Sequence, residues 1–143
     1  MALPTPFPGL VVSYAYLWSD EAAKGQREGR KDRPSVIVLS ARTVAGQTIV
    51  TVAPITHLRP EAGAGIELPR TVKERLGMDG ESSWIIADDL NRFVWPGPDL
   101  RALRRGENAF AYGPLPRSLY RALRDRVLAS AEAGRVKITT RDE

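Results

Sequence analysis

Two residues beside neighbouring apolar runs carry the chemistry open to this chain. Arg33 stands just ahead of Ser35-Val36-Ile37-Val38-Leu39-Ser40, and Thr56 just after Thr48-Ile49-Val50-Thr51-Val52-Ala53. An arginine fork donates to two phosphoryl oxygens at once and keeps its charge throughout a reaction. A threonine hydroxyl adds a second donor, and such donors strengthen as negative charge builds on a phosphoryl group. The pair suits metal-free RNA cleavage, in which the ribose 2′-oxygen attacks the adjacent phosphorus and the 5′-oxygen leaves with a proton. Taken singly, each has an ordinary alternative: Arg33 an ion pair where a strand begins, Thr56 a turn or capping hydroxyl.

The remaining inventory narrows the chemistry. With one histidine and no cysteine, the chain cannot build a His-rich or Cys–His metal site, a thiolate nucleophile or a histidine-pair ribonuclease, and neither a metal nor a cofactor is expected. The patterns G-x-S-x-G and G-x-x-x-x-G-K-[ST] do not occur. His57 is the lone candidate for a proton carrier by residue type, but it follows Thr56 directly and turns to the other side if the strand continues, so it is a candidate RNA contact or a spectator. Arg27, Arg30 and Lys31 lie in the polar stretch before Arg33 and are candidate phosphate contacts. Trp18 closes an aromatic face, with Val12, Tyr14 and Tyr16, that packs the core or stacks on bases.

The elements that must position these residues follow from patterning. Two β-branched runs joined through Ala45-Gly46-Gln47 form an antiparallel hairpin, with Pro54 ending the second strand. Arg33 and Thr56 then share one edge of the sheet. Three prolines in residues 1–8 make an extended arm, and a strand follows over Leu10–Tyr16. Residues 19–32 form a long surface loop. A short strand at 65–68, a brief helix over 69–77 and strands through Trp84–Ala87 and Leu90–Trp95 come next. A final helix runs from Pro116 to about Ala133, with Leu119, Ala122, Leu123, Val127 and Ala131 as its apolar stripe. Residues 136–140 alternate like a strand. The pattern predicts a mainly β fold, a small bent antiparallel barrel, with a C-terminal α-helix and one or two short helices.

A chain of 143 residues with 43% hydrophobic content makes one domain over 1–143, its core at about 9–133 and its tail at 134–143. A net charge of +4 and a pI near 9.8 are compatible with a nucleic-acid partner. No stretch has the length of a membrane span or a signal peptide, so a cytoplasmic location without membrane contact is expected.

Five short motifs in order add a family. Gly9-Leu10-Val11-Val12, the Glu28-to-Pro34 loop with the Val36–Leu39 strand, Pro54-Ile55-Thr56, Ser83-Trp84-Ile85-Ile86-Ala87-Asp88-Asp89-Leu90 and Tyr112-Gly113-Pro114-Leu115 resemble the MazF/PemK family of toxin endoribonucleases. The resemblance covers about Gly9 to Ala133. It implies a CcdB–MazF-like (SH3-like) barrel and the toxin of a type II toxin–antitoxin system, cutting single-stranded mRNA to a 2′,3′-cyclic phosphate. It assigns catalysis to Arg33 and Thr56 and a supporting role to Glu28. It also implies a homodimer and a cognate antitoxin, with DNA bound together with that antitoxin. Leu17-Trp18 and Asp89 depart from the family pattern. Two other readings are a CcdB-like gyrase toxin, whose Trp-Gly-Ile ending is missing, and a non-catalytic RNA- or protein-binding barrel.

Overall fold

The computed structural model describes residues 3–29, 31–103 and 109–141. Its elements are β1 (Leu10–Tyr14), α1 (Ser19–Ala23), β2 (Arg33–Arg42), β3 (Thr48–Thr56), β4 (Gly65–Glu67), α2 (Arg70–Arg75), β5 (Trp84–Ile86), β6 (Asp89–Val94), β7 (Ala111–Pro114), α3 (Arg117–Glu132) and β8 (Lys137–Thr140). The strands form an almost wholly antiparallel sheet in the order β4-β5-β3-β2-β1-β7, with β6 beside β3 and β8 beside β6.

The central hairpin is longer than its sequence signals. β2 takes in Arg33 and Pro34, and β3 runs through Pro54 to Thr56. Pro54 is tolerated because β3 changes its second neighbour there. Residues Ile49–Val52 pair with β6, while Ile55 and Thr56 pair with β5. Proline's missing N–H therefore falls in the gap between those partners, where no ladder bond on that side is lost. The same fork splits the sheet into two wings, and among the described residues the strand path ends at β4 and β7 without a pairing that closes it. One pair is also parallel, β6 with β8.

Strand alternation sorts the interior into two clusters. Val11, Val36, Ala53 and Ile55 face one side and pack with Val72 of α2, Leu76 just past it, Ile85, and Leu123 of α3. Val12, Tyr14, Tyr16, Ile37, Val50, Val52 and Phe93 face the other. Tyr14 stacks on Phe93 with centroids 4.6 Å apart, so the aromatic face of β1 is core. In α3 the predicted stripe holds at Leu119, Leu123 and Val127, but Ala122 and Ala131 are exposed. Small side chains on the flanks of a narrow stripe bury too little area to set the helix's rotation.

Residues 19–32 are a loop only in part. Five residues form α1, whose start is secured by tertiary partners rather than by an apolar stripe. β1 ends at Tyr14, two residues short of the expected boundary. No described helix is long and apolar enough to cross a membrane.

Candidate functional site

The register of the sheet brings Arg33 and Thr56 together. β2 and β3 pair Ser35 with Pro54 and Ile37 with Val52, and continuing that register by two residues sets Arg33 opposite Thr56. Side chains alternate along a strand, so both residues share the face of Ile37 and Val52. On the far side of β2, Tyr14 pairs with Arg33.

Trp18 links the two. The Arg33 guanidinium carbon lies 5.2 Å from the centroid of its indole, and Trp18 and Thr56 line one cleft of about 400 Å³ with Asp20, Glu21, Leu58, Arg59, Pro60 and Ile86. Arg33 Nε is buried and has no hydrogen-bond partner among the described residues. Burial lowers the pKa of Arg33, and the charges of Glu21 and then Tyr16 oppose that shift. The group stays cationic because its ordinary value is so high. Thr56 is buried, and its Oγ1 accepts the Leu58 N–H at 3.2 Å. No acceptor among the described residues takes its hydroxyl proton, which is left for a group in the cleft.

Asp89 fastens this arrangement. Its Oδ1 accepts from the Tyr16 hydroxyl at 2.5 Å, and its Oδ2 accepts from Ser19 Oγ at 2.6 Å and Ser19 N at 3.2 Å. Glu21 Oε1 accepts the Trp18 N–H at 3.1 Å. Asn91 holds Leu17 by both backbone groups, at 3.0 Å and 2.7 Å. The chain between β1 and α1 is thereby fixed, and with it the indole. Burial and Asp89 together push the Tyr16 phenol far above its ordinary pKa, so it acts as a neutral donor. Sequence reasoning missed the roles of Asp89 and Asn91. The available signal was that Leu17-Trp18 and Asp89 both depart from the pattern the sequence otherwise resembles.

The other predicted site residues are less concentrated. Glu28, Arg27 and Lys31 are exposed and none lines the cleft; the Glu28 carbonyl accepts from Gln26 Nε2 at 2.6 Å. Arg30 lies outside the described residues. Gly29 presses against the chain just past β1: a Cβ there would collide with the Ala15 and Tyr16 carbonyls. His57 turns away from the cleft. Its Nδ1 is 3.0 Å from the Ser82 carbonyl, and its Nε2 is 3.1 Å from Asp79 and 3.7 Å from Glu81.

A scan against protein-family models finds no match for this chain. Searches of curated proteins and of solved structures find none either.

Proposed function

We propose that the chain is a MazF/PemK-like toxin, a metal-independent endoribonuclease that cuts single-stranded RNA at the Arg33–Thr56 cleft. The observation that carries this reading is Arg33 itself. Its guanidinium lies over an indole, its Nε is buried without a partner among the described residues, and it stands beside a cleft that presents a threonine hydroxyl. An arginine with an unsatisfied buried donor costs free energy unless an anion completes it. A phosphate would do so.

In the mechanism proposed, Arg33 grips the phosphoryl oxygens and Thr56 donates a second hydrogen bond. Both interactions strengthen as the 2′-oxygen attacks and charge accumulates. Trp18 sets the direction of the guanidinium and offers an apolar wall against which a base can stack. The family likeness extends the proposal to a barrel-type fold, a homodimer, a cytoplasmic location and a cognate antitoxin that covers the cleft.

Incubation with a mixed single-stranded RNA in excess EDTA, followed by mapping of the ends, tests the activity. Discrete cuts with 2′,3′-cyclic phosphate ends are expected. A second reading has its own observation: Asp20 and Glu21 place two carboxylates on the cleft wall, which favours a non-catalytic binding site over one that admits a polyanion. Intact RNA in that incubation, with saturable RNA or protein binding, supports that reading.

A further inference from the structure

On the far side of β3 from Thr56, three metal-ligating side chains converge at the turn between α2 and β5. We propose that His57, Asp79 and Glu81 bind a first-row divalent cation, with Zn2+ the best match. One donor atom from each residue lies within 4.8 Å of the others. His57 Nε2 is 3.1 Å from Asp79 Oδ2 and 3.7 Å from Glu81 Oε2. Ligands about 2.1 Å from a metal stand about 3.0 to 3.4 Å apart in tetrahedral or octahedral geometry. A small rotation of the exposed Glu81 closes the set.

The imidazole is oriented for this role. Its Nδ1 faces the Ser82 carbonyl at 3.0 Å, which only accepts, and Ser83 Oγ at 3.1 Å, which can accept or donate. A proton on Nδ1 satisfies the carbonyl contact and aims the Nε2 lone pair at two carboxylates. A bound cation, in place of a proton on Nε2, would then join the imidazole to both carboxylates. A backbone carbonyl on the distal ring nitrogen is also the usual partner of a metal-bound histidine.

Asp79 is oriented from the other side. Its Oδ1 accepts from Lys73 Nζ at 2.7 Å and from the Glu81 N–H at 3.0 Å, which leaves Oδ2 toward the imidazole. Lys73 is buried and also donates to Ser83 Oγ at 2.7 Å, so it anchors the carboxylate to the core. The adjoining recess, of about 720 Å³, carries Glu67, Glu74, Asp79 and Glu81 against Arg70 and Lys73, an excess of negative charge that attracts cations.

One imidazole with two carboxylates suits Zn2+ or Mn2+ better than Mg2+ or Ca2+, which favour all-oxygen sites. His57, Asp79 and Glu81 side chains are 46%, 53% and 74% exposed, so water completes the coordination and the ion exchanges. Bound there, it clamps the turn to the end of β3. The site shares no residue with the RNA cleft, and it stands whether or not the protein cuts RNA.

Calorimetric titration of EDTA-stripped, dialysed protein with zinc chloride at neutral pH tests the site, with Mg2+ as comparator. One equivalent of Zn2+ is expected to bind, more tightly than Mg2+. His57→Ala and Glu81→Gln, both at exposed positions and checked for folding by circular dichroism, should each weaken binding at least about tenfold. Glu67→Gln, in the same recess, should bind as the parent does. Absence of saturable Zn2+ binding would mean that a proton on His57 alone serves the carboxylates, and would overturn the proposal. Undiminished binding in both variants would overturn it equally.

Discussion

Arg33 lies over the indole of Trp18, 5.2 Å from the ring centroid, and that ring lines a cleft together with Thr56. The contact fixes a long, rotatable side chain in a half-buried position where hydrogen bonds do not. A cation over an indole contributes about 0.5 to 2 kcal/mol, more as water is excluded. Trp18→Ala should therefore loosen Arg33 and remove a stacking wall. The expected result is RNA affinity lower by roughly tenfold in fluorescence anisotropy, with Trp18→Phe intermediate.

Asp89 supports the cleft from behind, through Tyr16 and Ser19. Asp89→Ala strands the Tyr16 hydroxyl, whose residue is only 1% exposed, without its acceptor. A buried unsatisfied donor costs about 1 to 3 kcal/mol, and denaturant unfolding should show a loss of that size. Asp89→Asn keeps an acceptor oxygen and should cost less.

Asp79 supplies a pH dependence with a definite sign. Its pKa is lowered from the ordinary 3.8 chiefly by the Lys73 hydrogen bond. A group depressed in the folded state stabilises the fold fully above its unfolded pKa and loses that contribution as pH falls through the folded value. Stability should therefore decline below about pH 4. Asp79→Asn should flatten that part of the pH profile of the melting temperature.

Gly29 tests the loop ahead of Arg33. Since a Cβ there would meet the Ala15 and Tyr16 carbonyls, Gly29→Ala should displace residues 28–32 and destabilise the protein. Gly25→Ala should also cost stability, through its positive φ of 89°, but with open space around it it should leave RNA binding unchanged. The expected discriminator is RNA affinity, reduced only at position 29.

Much of the site was legible in the chain. The β-branched runs of β2 and β3 are strong signals, and two-residue alternation alone puts Arg33 with Thr56 and sends His57 to the opposite side. The cleft wall was not legible. α1 has five residues and no apolar stripe, and it exists because Asp89 and Glu21, one of them distant in sequence, satisfy its first turn. Pro54 misled for a related reason, since the partner change that tolerates it involves strands far along the chain. Arg141 shows the same limit. Near the end of the chain, it is buried on Asn91, Asp99 and the Ala15 carbonyl, contacts that no local pattern announces. The proposed cation cluster was missed because its acidic members follow α2 while its histidine follows β3, and a motif search needs ligands at fixed spacing.

The most direct measurement is single-turnover cleavage of a single-stranded RNA by the Arg33→Ala protein, in EDTA, alongside its RNA affinity. Arg33 is proposed to bind hardest where charge develops, so the rate should fall about a hundredfold, on the order of 3 kcal/mol, while affinity falls far less. Arg33→Lys should recover little of the rate, because an ammonium lacks the two-oxygen fork, and Thr56→Ser should retain most of it. A folded Arg33→Ala protein that cuts at the parent rate would contradict the account.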